Sequence, residues 1–383
     1  MAGLLMHDPV YLDYNATTPV APEVAGAVMR CLSDTFGNPS SSHELGQRAA
    51  ALVAEARASV TRLIGAQAEE VIFTGCATEA NNLALLGVAR TSTGKRHLVV
   101  SAIEHPAVMA PARQLEREGW ALTVLPVDRF GRISARDVEA ALRTDTILVS
   151  VMHANNEVGT LQPIREIAAI TRPRGVLLHT DAAQSAGKLP LDVDALGVDL
   201  LTLAGHKFYA PKGIGALYVR HGTPMTRILF GADQERGLRP GTGNVPAIAG
   251  LGAAAELALA HLPMAGRLRD RRDALHRRLL TGIPDLQLNG HPDERLPNTL
   301  HVSFPGVSGR ALLQVAHADV AASVGSACQS EHDAVSGVLA AMGCNATQAR
   351  GAVRLSTGWP TTEEDIEQAA VALIGAWRQL ALP

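Results

Sequence analysis

Leu200-Leu201-Thr202-Leu203-Ala204-Gly205-His206-Lys207-Phe208-Tyr209-Ala210-Pro211-Lys212-Gly213-Ile214-Gly215-Ala216-Leu217-Tyr218 is the stretch on which the reading of this chain turns. An apolar run that reads as a buried strand stops at Ala204-Gly205, presents His206 and Lys207 at its exit, and passes through glycines into a second apolar run. A lysine there is either a solvated loop charge or a buried amine, and lysine is seldom buried without a reason. The other strand ends of the chain bear on that choice.

From residue 71 onward, short apolar runs alternate with helical stretches: Val71-Phe73, His97-Ser101, Ala121-Leu125, Thr146-Val151, Val176-Thr180 and Leu200-Leu203. Gly215-Val219 follows as a last, antiparallel strand. Such alternation predicts crossover units, hence an α/β fold whose large domain holds a mostly parallel seven-stranded sheet covered by helices. Ahead of it, Tyr11-Leu12 reads as a short strand, Pro22 opens a helix to about Cys31, and a second helix from Leu45 to Ile64 stops at Gly65. Beyond it, a helical region from Pro246 to Leu280 is broken around Pro263. Thr299-Phe304, Gly309-Ala316, Val320-Val324 and Val353-Ser356 then alternate strand and helix on a smaller scale, a C-terminal α+β domain. Thr361 with Glu364 is expected to cap the final helix. The boundaries fall at 20–260 for the large domain, with 1–19 and 261–383 forming the small one.

At 383 residues the chain exceeds the ~150-residue norm for one domain, in keeping with that division. Its composition is 47% hydrophobic but only 3% aromatic, so the interior must be built from Ala, Val, Leu and Ile. The net charge of −3 and the lack of a Lys/Arg stripe argue against nucleic acid and anionic membrane as partners. The N-terminus has no cationic start and no apolar run reaches ~18 residues, so a cytoplasmic protein is expected. The four cysteines, Cys31, Cys76, Cys328 and Cys344, lack Cys-x-x-Cys spacing, which argues against a disulfide framework and a metal site.

Ligands of an open parallel α/β sheet bind beyond the carboxyl ends of its strands, and five of these runs end in unusual polar groups. After Phe73 comes Thr74-Gly75-Cys76-Ala77-Thr78-Glu79, a small-residue turn feeding a helix, which is either a phosphate cradle or an ordinary cap at Thr78. After Ser101 comes Glu104-His105-Pro106, where His105 is a cap, an acid/base or a ring that stacks on a flat ligand. After Val151 come Asn155 and Asn156, able to satisfy their own turn or to donate a directed hydrogen bond. Asp181 ends an apolar strand, with Gln184 just after it, and a carboxylate there is costly without a positive partner. Lys207 is the fifth end. A phosphate turn, a stacking ring, a carboxylate for a pyridinium nitrogen and an amine for an aldehyde together describe a site for pyridoxal phosphate.

The chain resembles the cysteine desulfurase and selenocysteine lyase family, within the class V, fold-type I pyridoxal-phosphate enzymes. The matching stretches run nearly end to end: Leu12 to Pro19, Gly37 to Ser41, Phe73 to Asn82, Asn155 to Gly159, Asp181 to Gln184, Gly205 to Tyr209, Gln234 to Arg236, Arg239 to Thr242 and Gly325 to Cys328. The resemblance implies that Lys207 carries the cofactor, Asp181 partners its pyridinium, and Gln184 and Asn156 lie near its ring hydroxyl. His105 would stack on the ring and shuttle a proton. Cys76, Ala77, Thr78 and His206 would surround the phosphate, and Thr242 would reach it from the second subunit of a homodimer. Arg354 and Asn15 would bind the substrate, the arginine gripping its carboxylate with a planar fork.

Cys328, in a small-residue stretch with nothing bulky to bury it, separates this chemistry from transamination. The implied activity is removal of sulfur, or selenium, from L-cysteine or L-selenocysteine, giving L-alanine and a persulfide on Cys328, with an acceptor protein as a further partner. The alternatives are a selenium-preferring lyase, a class V transaminase or kynureninase-like lyase, and a non-catalytic interaction subunit. Two positions depart from the family pattern: Ala204 stands where many desulfurases carry a phosphate-binding serine, and Cys76 replaces a common glycine. The wording at Thr180 to Gln184 and Ser323 to Cys328 is closer to selenocysteine lyases.

Overall fold

Val, Ile and Leu fill the runs that become strands, and Pro, Ser, Asn or Gly punctuates them, so local preference and burial agree along most of the chain. The computed structural model describes residues 8–325 and 336–381. Its strands are β1 (Val10–Tyr11), β2 (Val71–Thr74), β3 (His97–Ser101), β4 (Ala121–Leu125), β5 (Thr146–Ser150), β6 (Leu177–Asp181), β7 (Leu200–Ala204), β8 (Gly215–Val219), β9 (Gln287–Asn289), β10 (Thr299–Ser303), β11 (Val320–Ala321) and β12 (Ala352–Ser356).

Seven of them form one sheet in the order β2-β8-β7-β6-β5-β3-β4. Pairing is parallel from β4 through β7, while β8 runs antiparallel to both β7 and β2. The sheet is thus the mostly parallel, seven-stranded one the sequence predicts. Its alternation sorts side chains onto two faces. Val71, Phe73, Val99, Val149, Leu201 and Leu203 enter one core with the helices Glu44–Ile64 and Val245–His261. Ile72, Leu98, Val100, Leu148 and Leu200 enter another with Leu83 and Leu85 of helix Ala77–Ala89. Each such side chain, fully removed from water, contributes about 1.5–3 kcal/mol before chain entropy is counted.

A third core joins the two ends of the chain. Leu12 packs there with Leu275, Leu300, Phe304, Val353 and Leu373. The frame is the antiparallel sheet β12-β10-β9, the parallel pair β1-β11, and the helices Ala265–Gly282 and Glu363–Ala381.

The helical region expected from Pro246 to Leu280 is indeed interrupted, by a 3-10 turn at Leu262–Met264. Gly65 ends its helix in the left-handed region at φ 68°, which favours glycine. The final helix is capped one residue later than expected. Thr362 Oγ1 accepts from the Asp365 N–H at 3.0 Å and Asp365 Oδ2 accepts from the Thr362 N–H at 2.8 Å. Thr361 is buried and accepts instead from the Gly358 N–H at 2.9 Å, holding the turn that precedes the cap.

Candidate active site

Parallel strands leave the sheet at one edge, so the turns after β2, β3, β6 and β7 converge there. They enclose a cavity of about 260 Å³ lined by Thr78, His105, Asp181, Gln184, His206 and Lys207, together with Cys76, Ala77, Asn156 and Arg354. Sequence reasoning named all of these. It named Asn15 of the N-terminal turn as well, but not the hold of that turn's carbonyls on Lys207.

Lys207 ends the 3-10 turn Gly205–Lys207, and its Nζ donates to the carbonyls of Asn15 at 2.6 Å and Ala16 at 2.8 Å. The Asn15 side chain, expected to bind substrate, is 1% exposed and saturated. Its Nδ2 donates to Thr299 Oγ1 at 2.8 Å and the Asn156 carbonyl at 3.3 Å, and its Oδ1 accepts from Asn298 Nδ2 at 3.1 Å and Lys188 Nζ at 3.4 Å. Four contacts exhaust an amide of two donors and two lone pairs. Asn15 lines the cavity with its side-chain amide fully engaged, and its backbone carbonyl meets Lys207.

Asp181, at the end of β6, is 6% exposed. Its Oδ2 accepts from Asn81 Nδ2 at 2.7 Å and its Oδ1 from the Ala183 N–H at 2.9 Å. Two of a carboxylate's roughly four acceptor positions remain. Asn81 itself is fully buried, and its Oδ1 has no hydrogen-bond partner among the described residues.

The helix Ala77–Ala89 begins after Cys76, not after Thr78, and Cys76 makes no side-chain capping bond. A 13-residue helix with an uncapped start directs its N–H groups and positive dipole end at the cavity. Gly215 allows this approach, because a Cβ there would stand 2.9 Å from the Cys76 carbonyl carbon and 3.1 Å from the Ala77 nitrogen. Cys76 is exposed, whereas burial pushes the thiols of Cys31 and Cys344 up and keeps them protonated. His206 Nδ1 lies 3.1 Å from Thr17 Oγ1. Burial, with Lys207 and more distant lysines adding to it, lowers His206 to about 4, so the ring is neutral at neutral pH.

His105 caps the helix Pro106–Arg117, its Nδ1 accepting from the Ala107 N–H at 3.1 Å. Burial lowers its pKa against the pull of Asp181. With Nδ1 an acceptor, the neutral ring carries its proton on Nε2. Arg354 is 2% exposed; its Nη2 reaches Asp13 Oδ1 at 2.6 Å, its Nη1 the Asn156 carbonyl at 3.1 Å, and its buried Nε no partner among the described residues.

One expected residue among those described is not brought here. Thr242 lines a separate opening with Arg239, Gln234 and Phe73. Cys328 lies outside the described residues. Conversely, Lys188, Asn81 and Asp13 join the site unannounced. Lys188 follows Gln184 by four residues in a run of turns, and that closeness in sequence was the available signal.

The aminotransferase class-V family pattern matches residues 10–369. The chain belongs to the class V aminotransferase family. Its curated relatives include "Cysteine desulfurase" of Trichormus azollae, 45% identical over 94% of this chain and 90% of that protein. "Cysteine desulfurase IscS" of Dictyoglomus turgidum is also 45% identical, over 94% of this chain and 92% of its own length. Among solved structures, a "NifS-like protein" superposes with a TM-score of 0.90 at 35% identity, covering 98% of this chain and all of its own. "SspA in complex with cysteine" gives 0.80 at 37% identity, covering 90% and 98%. These class V relatives favour sulfur chemistry over the selenium alternative.

Cysteine desulfurases of class V depend on pyridoxal phosphate, which needs an amine for its aldehyde, an acceptor for a protonated ring nitrogen and donors for its phosphate. Lys207, Asp181 and the uncapped helix start supply these on one cavity, so the residues present fit the cofactor. Ala204, 1% exposed, brings no hydroxyl to the cavity that it lines with Thr78 and His206.

Proposed function

We propose that this chain is a pyridoxal-phosphate-dependent cysteine desulfurase that takes sulfur from L-cysteine, leaves L-alanine and holds the sulfur as a persulfide on Cys328. The observation that carries this reading is the convergence of the Lys207 amine, the buried Asp181 carboxylate and the bare start of helix Ala77–Ala89 on one cavity.

When bound, pyridoxal phosphate supplies an aldehyde and an electron-withdrawing ring that stabilises negative charge beside a substrate amine. Lys207 is the base for the substrate Cα proton, and the Asn15 and Ala16 carbonyls hold its amine between turnovers. Asp181 offers its remaining acceptor positions to a ring N–H, and Asn81 fixes the carboxylate's rotation. The amides of Ala77 and Thr78, with His206, bind the phosphate. His105 exchanges protons through Nε2, since Nδ1 is engaged. Arg354 orients the substrate carboxylate by exchanging its Asp13 contact for the ligand. Asn156 and Gln184 flank the ring. Cys328, read from the sequence, accepts the sulfur.

The assembly is a homodimer in this reading. Phe36 is 72% and Phe230 85% exposed, with Met29 and Leu32 also outward, exposed apolar side chains that a second copy would cover. Thr242, away from its own cavity, is then placed for the partner's phosphate. Residues 20–260 form the large cofactor-binding domain, and 1–19 with 261–383 the small one carrying Cys328; the separate cores support this division. A cytoplasmic location, a sulfur-acceptor protein, and no nucleic-acid or membrane partner complete the reading, supported by a net charge of only −3.

Borohydride reduction followed by peptide mapping tests the cofactor link, and alanine release from L-cysteine tests the reaction. The expected results are modification at Lys207 and loss of turnover in Cys328→Ala. Full desulfuration by Cys328→Ala would sink the persulfide assignment.

A further inference from the structure

Lys188 is a buried amine that the mechanism above does not use. It is 6% exposed, and its Nζ lies 3.0 Å from Gln184 Oε1 and 3.4 Å from Asn15 Oδ1. Both of these partners are amide oxygens. Burial, with the charges of Lys207 and Arg354, drives its pKa well below the usual lysine range, and neither of these partners is a carboxylate.

The consequence falls on Gln184. An amide side chain can turn over and exchange its oxygen for its nitrogen, and its neighbours decide which way it sits. Here both ends are read. Lys188 offers N–H toward one end, and the amide presents its oxygen there at 3.0 Å. The Asn15 carbonyl, an acceptor only, lies 2.9 Å from the other end, which must be nitrogen. One Nε2 hydrogen is then left for whatever occupies the cavity that Gln184 lines. Remove Lys188, and half of the constraint on the amide goes with it.

We propose that Lys188 is a positioning residue of the cofactor site, acting through Gln184: it locks the amide so that an N–H, not a carbonyl oxygen, faces the ring hydroxyl of bound pyridoxal phosphate. The inference rests on the cofactor reading above. A donor at that oxygen stabilises its deprotonated form, so losing it raises the pH at which the cofactor joined to Lys207 titrates.

The test is a spectroscopic pH titration of the holoenzyme, with equilibrium dialysis for cofactor affinity, on wild type, Lys188→Met, Gln184→Met and the double variant. Lys188→Met is expected to move the titration midpoint upward and to weaken cofactor binding about fivefold or more. In the Gln184→Met background the same substitution is expected to change neither. Should Lys188→Met not fold, Lys188→Gln, which fills the space without fixing the direction of the contact, is expected to give a smaller shift of the same sign. An unmoved midpoint overturns the proposal, and so does an equal shift in the Gln184→Met background, which would mean that Lys188 acts without the amide. A wild-type chain that takes up no pyridoxal phosphate overturns the cofactor reading itself, and this inference with it.

Discussion

Arg354 Nη2 and Asp13 Oδ1 stand 2.6 Å apart, a buried guanidinium held by a carboxylate from the opposite end of the chain. A substrate carboxylate must compete with Asp13 for the same fork. Lysine cannot hold two carboxylate oxygens in a plane. Arg354→Lys is therefore expected to raise KM for L-cysteine about tenfold or more, with a smaller effect on kcat. Steady-state alanine release checks this, and an unchanged KM would remove Arg354 from substrate binding.

Asn81 donates to Asp181 at 2.7 Å from a fully buried position. Asn81→Leu keeps the volume and deletes the donor, so Asp181 turns more freely. Pyridoxal phosphate affinity is expected to fall about fivefold to tenfold, measured by absorbance titration of the apoprotein. Unchanged affinity would show that Asp181 needs no such support.

Gly215 gives the helix start room to approach. In Gly215→Ala the added carbon would also meet the Leu203 carbonyl oxygen at 2.7 Å, so the turn at Cys76 and Ala77 must shift. The phosphate end of the cofactor is expected to bind at least about tenfold more weakly. Competition by inorganic phosphate for the apoprotein should weaken in parallel, and equal retention of both would contradict the cradle.

Glu104 gives a pH-dependent outcome. Its Oε1 accepts from Ser101 Oγ at 2.5 Å and the Met152 N–H at 2.9 Å, yet burial raises its carboxyl from 4.5 to about 8. Between those two values the folded chain holds a proton that the unfolded chain has released. The stabilising contribution is complete below pH 4.5 and is lost as pH rises through about 8. Glu104→Gln carries no such dependence. Relative to wild type it is expected to gain stability with rising pH, on the order of 3 kcal/mol at pH 7. Thermal melts at pH 5 and pH 8 decide it: curves that stay parallel would refute a protonated Glu104.

Strand runs and the residues at their ends were legible because apolar composition and polar termination are local properties. The seven-stranded sheet, the break at Pro263 and the gathering of Asp181, Lys207 and His105 follow from that kind of signal. What escaped depends on partners far away in sequence. Asn15 reads as a polar turn residue until Thr299, Asn298 and Lys188 are folded around it. Lys188 meets Gln184 nearby, but its contact with Asn15 is long-range in sequence. Thr361 and Thr362 are adjacent hydroxyls, and only the packing of the Gly358 turn decides which one caps the helix.

The grip of Asn15 and Ala16 on Lys207 also has a temporal side. Asn15 is fixed from beyond the large sheet: its N–H donates to Ser356 Oγ at 2.9 Å and its side chain to Thr299. On the ribosome, the lysine and the sheet that carries it emerge well before residue 356. A nascent chain can build the parallel strands and still lack the tether for its amine. Cofactor capture in its final geometry is thus tied to the emergence of Thr299 and Ser356, and a chain ended before them would keep the lysine but lose the tether that holds it in place.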